Sequence, residues 1–244
     1  PCYAGRPSRQ THHRRAPAIL MTASDIRIVG FGRPERDDAQ SHVLSAAAAL
    51  GAGTRLVTSA EGEEFSSMDH GSIDWGRALE GAHWLVTSAS TAIAGESARF
   101  AWGAGMTFGE REGARTVMIA DLPEDPSQLA ECWGAVIERI RQIHVLFIDP
   151  AALGPISQLE GVDKSELLNE IRLRGLVPHV CTLDGQSEAL VEHALGSVRA
   201  PAGPSSSSHG WLAAFICELP GSGPGQAGVE RAVRAAGNAN SPPV

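Results

Sequence analysis

Short apolar runs alternate with segments of helical periodicity along most of the chain. The apolar runs predict buried strands at residues 26–31, 55–58, 83–87, 116–120, 144–148 and 177–183. The segments between them have an apolar residue every three or four positions and predict helices at residues 39–50, 74–80, 95–102, 126–142 and 164–174. Continuous apolar strands that alternate with helices are typical of a parallel sheet covered on both faces. The pattern therefore predicts an α/β fold with a doubly wound sheet.

The last third of the chain follows a different pattern. Residues 200–208 are rich in Pro, Ser and Gly and predict a loop, which an apolar helix at residues 211–219 follows. A second break precedes an amphipathic helix at residues 229–236, and residues 149–163 are predicted to be a loop. Because the sequence contains no internal repeat, we expect one domain over residues 25–240.

Composition limits the class of protein. The 244 residues are 43% hydrophobic and 20% charged, which is enough apolar material for a sizeable core and excludes a mostly disordered chain. No apolar run approaches the roughly 20 residues that a membrane-spanning helix needs, so we expect no membrane span. The formal net charge of -8 argues against direct binding of nucleic acid.

Basic residues without acidic ones mark the beginning of the chain. Residues 1–24 contain Arg6, Arg9, Arg14 and Arg15 and no Asp or Glu. Such a lead is typical of the remainder of an organellar transit peptide, which predicts a plastid or mitochondrial location. The alternative is an ordinary disordered tail on a cytoplasmic protein.

Cysteines and histidines are scattered without a spacing that binds metals. Cys2, Cys132, Cys181 and Cys217 form no C-x-x-C pair, so we expect neither a disulfide framework nor a zinc site. Three histidines lie inside apolar stretches and are predicted to have structural roles: His83, His144 and His179. We therefore predict no metal site from these residue types.

Three stretches of the sequence occur in an order that is typical of one family. Residues 50–64, followed by residues 73–88, resemble a strand that approaches a sugar site in that family. Residues 117–133 resemble its "FDLNYR…LW" segment, and residues 144–153 resemble its "DVLFxNxxEA" strand and turn. The similarity covers about residues 50–240 and is to the ribokinase/PfkB sugar kinases, most of all 2-keto-3-deoxygluconate kinases and fructokinases. It implies a three-layer α/β/α sandwich with a mostly parallel sheet.

The resemblance also implies a catalytic motif that this sequence lacks. The family has a G-A-G-D signature before an apolar helix, whose backbone amides form an anion hole and whose Asp acts as the base. The corresponding positions here are Ser206, Ser207, Ser208 and His209, followed by Gly210. Both glycines and the carboxylate are replaced. We expect His209 to mark a degenerate base position and the serines and Gly210 a degenerate anion hole.

Other positions that the resemblance implies are altered as well. Asp121 is retained as a vestigial substrate contact, while Glu124 stands near the position of a basic residue. Asp149, Asp184 and Gly185 are the residues expected in a vestigial nucleotide and metal region. The family's glutamate after the "DVLF" strand is missing, and its β lid over the sugar has too short a counterpart here.

These departures predict a catalytically inactive sugar-kinase-like protein, without a cofactor, that serves as an accessory subunit of a larger complex. The short segment at residues 62–74 leaves the strands at 55–58 and 83–87 uncovered in this interpretation, so we expect other protein subunits to cover them. The alternative is an active kinase that phosphorylates a keto-sugar or keto-sugar acid with ATP and Mg²⁺. A third hypothesis is a sensor that binds nucleotide or sugar without turnover.

Overall fold

One eight-stranded sheet organises the computed structural model, which describes residues 21–34, 38–185, 188–203 and 207–239. Its strands are β1 (Arg27–Phe31), β2 (Gly53–Val57), β3 (Trp84–Ser88), β4 (Arg115–Ala120), β5 (Ile143–Ile148), β6 (His179–Asp184), β7 (Glu188–His193) and β8 (Gly196–Pro201). The strand order is β2-β1-β3-β4-β5-β6-β7-β8. The pairs from β2 to β6 are parallel, and β7 and β8 continue the sheet as antiparallel strands.

Helices cover both faces of the sheet. They are α1 (Ala39–Ala49), α2 (Trp75–Leu79), α3 (Ala89–Ala92), α4 (Glu96–Glu112), α5 (Leu129–Glu138), α6 (Pro150–Glu160), α7 (Lys164–Gly175), α8 (Ser208–Glu218) and α9 (Gln226–Ala239). Alternate strand residues face opposite layers, as the twofold period of a strand requires. Ile28 and Val117 belong to the core with α1, α8 and α9, whereas Val29 and Met118 belong to the core with α2 to α7. The predicted three-layer α/β/α sandwich with a mostly parallel sheet is confirmed.

Four parts of the chain differ from the prediction. The helix expected at 95–102 extends to Glu112. Residues 149–163 are not a loop, because Asp149 caps α6 by accepting from the Ala151 N–H at 2.9 Å and Pro150 suits the first helical turn. The helix expected at 126–142 is interrupted by 3₁₀ turns at Pro126–Gln128 and Ile140–Gln142. The hairpin β7–β8 was not predicted, since its half-buried alternation is short and its members are partly polar.

The prediction of uncovered apolar strands is wrong. β3 lies inside the sheet between β1 and β4, and all five of its residues are buried. β2 is the edge strand, but the residues that it exposes are Gly53, Thr54 and Arg55. Charged and polar residues at an edge discourage pairing with other chains, so this edge does not require a partner.

The shortened segment at residues 62–74 forms two 3₁₀ turns instead of lid strands. Phe65 is buried and its ring centroid lies 5.3 Å from that of Phe31 at the end of β1. Ser66 packs against the start of α4, where a Cβ at Gly95 would lie 2.2 Å from the Ser66 carbonyl oxygen. This short segment therefore packs on the apolar residues at the end of β1 and at the start of α4. In the described residues, no helix has the length and apolar character needed to cross a membrane.

Candidate functional site

The candidate site is a cleft of about 260 Å³ at the carboxyl ends of β1, β3 and β4. In open α/β sheets ligands bind where the strand order reverses, and here the order reverses between β1 and β3. The described residues around the cleft are Arg33, Asp38, Ala39, Ser90, Thr91, Ile93, Asp121, Leu122, Pro123, Glu124 and Gln128. They follow the three strands directly, so the sheet itself fixes their positions.

Asp121 supplies a buried carboxyl group at this cleft. Its Oδ1 accepts from the Ser90 N–H at 3.0 Å, and its Oδ2 accepts from the Ser90 hydroxyl. Burial raises the pKa of Asp121, the nearby Asp149 carboxylate adds to the effect, and the bonds from Ser90 oppose it. The predicted substrate residue is therefore at the cleft, where it is positioned to exchange hydrogen bonds with a hydroxyl-bearing ligand.

An ion pair that the sequence did not reveal crosses the cleft. Nη1 of Arg33, after β1, lies 3.3 Å from Oε1 of Glu124, after β4. The Arg33 N–H also donates to Asp38 at 3.3 Å, which holds this turn against the start of α1. A shallower depression of about 290 Å³ lies on the other side of the pair, against Phe65. Because 91 positions separate the two residues, no local sequence signal could have paired them.

The first turn of α8 lies next to the end of β5. Ser207 caps the helix by accepting from the Gly210 N–H at 3.0 Å, and the Ser208 hydroxyl donates to Oδ2 of Asp149 at 3.5 Å. Nε2 of His209 is also 3.5 Å from that oxygen. The His209 ring stacks on His42 of α1 with centroids 5.5 Å apart. Ser206, the remaining predicted member of this group, lies outside the described residues.

The predicted residues thus fall into three places. Asp121 lines the cleft, whereas Asp149 and His209 form a pair that is not among the described residues lining it. Asp184 and Gly185 lie at the end of β6, two strands away from β4, in the turn that leads to β7. The structure therefore brings Asp149 to the first turn of α8, and it places Asp184 and Gly185 after β6, the strand next to β5.

The residues present do not fit ATP and Mg²⁺. Asp149 is already engaged by His209 and by the α6 backbone, and no group of three His, Cys, Asp or Glu residues that could hold a metal occurs in the part of the chain that the structure describes. The cation at the cleft, Arg33, is paired with Glu124. The single lysine, Lys164, lines another depression with Glu192.

Comparison with solved structures identifies the fold. Fructokinase from Vibrio cholerae O395, with fructose, ADP and calcium ion bound, has a TM-score of 0.66 at 14% identity, covering 88% of this chain and 91% of that one. For 2-dehydro-3-deoxygluconokinase from Thermotoga maritima, the TM-score is 0.61, the identity 12% and the coverages 90% and 94%. Aminoimidazole riboside kinase from Salmonella enterica has a TM-score of 0.59 at 14% identity, with coverages of 88% and 92%.

No protein-family model matches this chain, and neither does any curated protein sequence. The class that the sheet order and the switch-point cleft define is an open, mostly parallel α/β sandwich. Its particular fold is that of the ribokinase/PfkB sugar kinases, as the resemblance predicted.

Proposed function

We propose that this chain is a catalytically inactive protein with the sugar-kinase fold, a pseudokinase that acts as an accessory subunit of a larger protein complex. The position of His209 is the observation that supports the loss of catalytic activity. This residue stands where the resemblance implies the catalytic base, yet it is paired with Asp149 and stacked on His42, outside the described lining of the cleft.

The anion hole that the resemblance implies is also compromised. Such a hole needs backbone N–H groups that point freely at the transferring phosphoryl group. At the start of α8, the Gly210 N–H donates to the Ser207 hydroxyl, and the Trp211 N–H donates to the Ser207 carbonyl at 3.0 Å. Asp149 adds a carboxylate at the same turn, where it would repel an incoming phosphate.

An assay for sugar-dependent ADP release tests this half of the proposal. We expect no release above background with 2-keto-3-deoxygluconate or fructose, because loss of oxyanion donors costs about 10²–10³ in rate and loss of the base about 10²–10⁴ more. His209→Ala serves as the matched variant and should give the same background. Release that depends on the sugar would contradict the proposal. Sugar binding without release would favour the sensor hypothesis.

One contact favours the alternative of an active kinase. Asp149, whose Oδ2 lies 3.5 Å from Nε2 of His209, is near enough to orient the imidazole, so His209 is a chemically reasonable base. In an active enzyme with this base, His209→Ala would abolish turnover, and Asp149→Asn would lower it. Turnover that both variants leave unchanged would require another base and would contradict this assignment.

The accessory role concerns a different part of the surface. Leu173 and Leu176, at the end of α7, are 51% and 68% exposed, and Leu195 in the β7–β8 turn is 64% exposed. β6 begins and β7 ends at this side, since His179 pairs with His193. We assign the contact to these leucines because contiguous exposed apolar patches are typical of protein contacts.

Copurification from the native source tests the accessory role. We expect another protein to copurify with the wild-type chain in stoichiometric amounts. That protein should be lost when Leu173, Leu176 and Leu195 are changed together to Ser. Leu159→Ser, at another exposed leucine, is the control. Retention of the partner by the triple variant would contradict the assigned surface. The organellar location remains a prediction from the arginine-rich lead, and a fluorescent fusion that stays in the cytoplasm would contradict it.

A further inference from the structure

A second cavity, here called the basal cavity, lies at the end of the sheet opposite the cleft. Its volume is about 420 Å³, which is within the range of about 300–1,000 Å³ that is usual for small-molecule sites. It is formed where β3 to β6 begin, together with the end of α8 and the start of α9. The residues that matter for its chemistry are Trp84, Arg115, His144, His179, Leu219 and Val229.

Arg115 makes the basal cavity positively charged. Its guanidinium carbon lies 5.8 Å from the ring centroid of Trp84, so the cation is held over an aromatic face. In the described part of the chain, no carboxylate lies within ion-pair distance of Arg115. Arg115 is exposed at the start of β4, and an arginine without a carboxylate partner is suited to receive an anion.

His144 adds a polar atom that has no partner. Its Nδ1 is buried without a hydrogen bond to any described residue, which is costly unless a ligand or a solvent molecule satisfies it. Burial lowers the pKa of His144 and the charge of Arg115 lowers it further, whereas an interaction of the ring with the Gln142 backbone and the charge of Glu110 oppose both. The Glu110 carboxylate accepts from the Gln142 side chain at 3.2 Å and so remains tied to that neighbour.

His179 completes the basic side of the basal cavity. Its ring packs edge-on against Phe215, with centroids 6.1 Å apart, and stacks near His193 at 6.5 Å. Burial lowers the pKa of His179 to about 4, and the charges of His193, Arg115 and His144 contribute. Behind it, His193 itself faces Arg172 and Glu230. The charge of Arg115 thus acts on both His144 and His179 in addition to burial, and a bound anion would oppose that charge.

The remaining wall of the basal cavity is apolar. Leu219 closes α8, Val229 belongs to the first turns of α9, and Trp84 adds its indole, whose Nε1 donates to the Ile216 carbonyl at 2.8 Å. Because that donor is occupied, the indole offers the cavity only an apolar surface. A ligand that fits both walls needs a charged head and a compact apolar body.

We propose that the basal cavity binds an organic anion whose carboxylate or phosphate group contacts Arg115 and His144 and whose apolar body lies against Leu219 and Val229. The site is separate from the cleft, and it does not depend on whether the protein has lost kinase activity. A metal site is not an alternative among the described residues, because they contain no group of three metal-binding side chains.

The test is a titration of the full chain followed by NMR of the histidine ring resonances. The probes are phenyl phosphate and benzoate, which have both parts of the ligand, and inorganic phosphate, which lacks the apolar body. We expect phenyl phosphate or benzoate to shift the resonances of His144 and His179. Benzoate, whose charge is constant over this range, should bind more tightly as the pH falls from about 7.5 to 5.5. The probe that binds more tightly identifies the head group.

Matched variants separate binding at this site from adventitious contact. Arg115→Gln should weaken binding about tenfold or more, and His144→Gln should also weaken it. Arg111→Gln, at an exposed arginine four positions earlier on α4, should leave it unchanged. Three results would overturn the proposal: no shift with either organic probe, equal affinity for inorganic phosphate, or affinity that Arg115→Gln does not change in a folded chain.

Discussion

Oδ2 of Asp149 lies 3.5 Å from Nε2 of His209, while Oδ1 of the same carboxylate caps α6 through the Ala151 N–H at 2.9 Å. One side chain at the end of β5 therefore links the starts of two helices on opposite faces of the sheet. Where the resemblance implies catalysis, the structure has an interaction that can stabilise the fold.

This double role predicts a difference between two helix caps. Asp149→Ala should lower the free energy of unfolding by about 2 kcal/mol, because it removes the α6 cap and the contacts of Asp149 with the Ser208 hydroxyl and His209. Asp163→Ala is the control, since Asp163 caps α7 through the Ser165 N–H at 2.8 Å and has no histidine partner. It should cost about 1 kcal/mol. Urea unfolding measures both values, and equal losses would show that the pair with His209 adds nothing.

Stability should decrease in acid because of His179. Its pKa is about 4 in the folded chain, below the ordinary value of 6.5, so the unfolded chain binds a proton that the folded chain rejects. The stability that comes from keeping His179 neutral is fully present above about pH 6.5. As the pH falls towards 4 the free energy of unfolding decreases by up to about 3 kcal/mol. His179→Gln should flatten this part of the stability curve, whereas His70→Gln, at an exposed histidine, should not. Parallel curves for all three proteins would contradict the assignment.

Leu176 predicts a stabilising substitution. It has φ of 55° at the end of α7, a left-handed conformation that costs a residue with a side chain about 1–2 kcal/mol. Because Leu176 is 68% exposed, replacing it loses little apolar burial. Leu176→Gly should therefore raise the free energy of unfolding by about 1 kcal/mol. Leu176→Ala keeps the strain and should not raise it. If Leu176→Gly is no more stable than Leu176→Ala in thermal unfolding, the left-handed conformation of Leu176 does not destabilise the fold.

The central part of the fold follows from the sequence because its strands are continuous apolar runs. β1, β3, β4 and β5 are buried on both faces. Each apolar run is five or six residues long, too short for a typical helix, and a segment with helical periodicity follows it. The edges of the sheet are less predictable. β7 and β8 mix polar and apolar residues, and α6 contains Gly154 and Pro155, which resemble a loop until the cap at Asp149 is seen.

Only part of the candidate site could be predicted. Asp121 was identified because it follows a buried strand within a stretch that resembles a known family, and the cleft contains it. The pair of Arg33 and Glu124 depends on the order of β1, β3 and β4, which brings together residues 91 positions apart. His144 and His179 were expected to be structural. Their shared cavity with Arg115 appears only when the beginnings of β4, β5 and β6 are placed side by side.

Thiol reactivity tests the expected structural role of the cysteines. Cys132, Cys181 and Cys217 are free and buried, and burial raises the pKa of Cys132 and Cys217 to about 12 and that of Cys181 above its usual range as well. In a Cys2→Ser variant, the native thiols should react with a disulfide reagent only as fast as local unfolding exposes them. All three thiols should react in denaturant. Rapid reaction of a native thiol would show an accessible site that this structure does not contain.

The most direct test of lost catalysis is a single-turnover measurement with the protein in excess over γ-labelled ATP and a saturating concentration of 2-keto-3-deoxygluconate or fructose. This design detects transfer that is too slow for a steady-state assay. The account predicts that the label stays in ATP or appears only as background phosphate, equally for the wild-type chain and His209→Ala. Label in a sugar phosphate that forms with the wild-type chain, and is lost with His209→Ala, would contradict it and establish an active kinase.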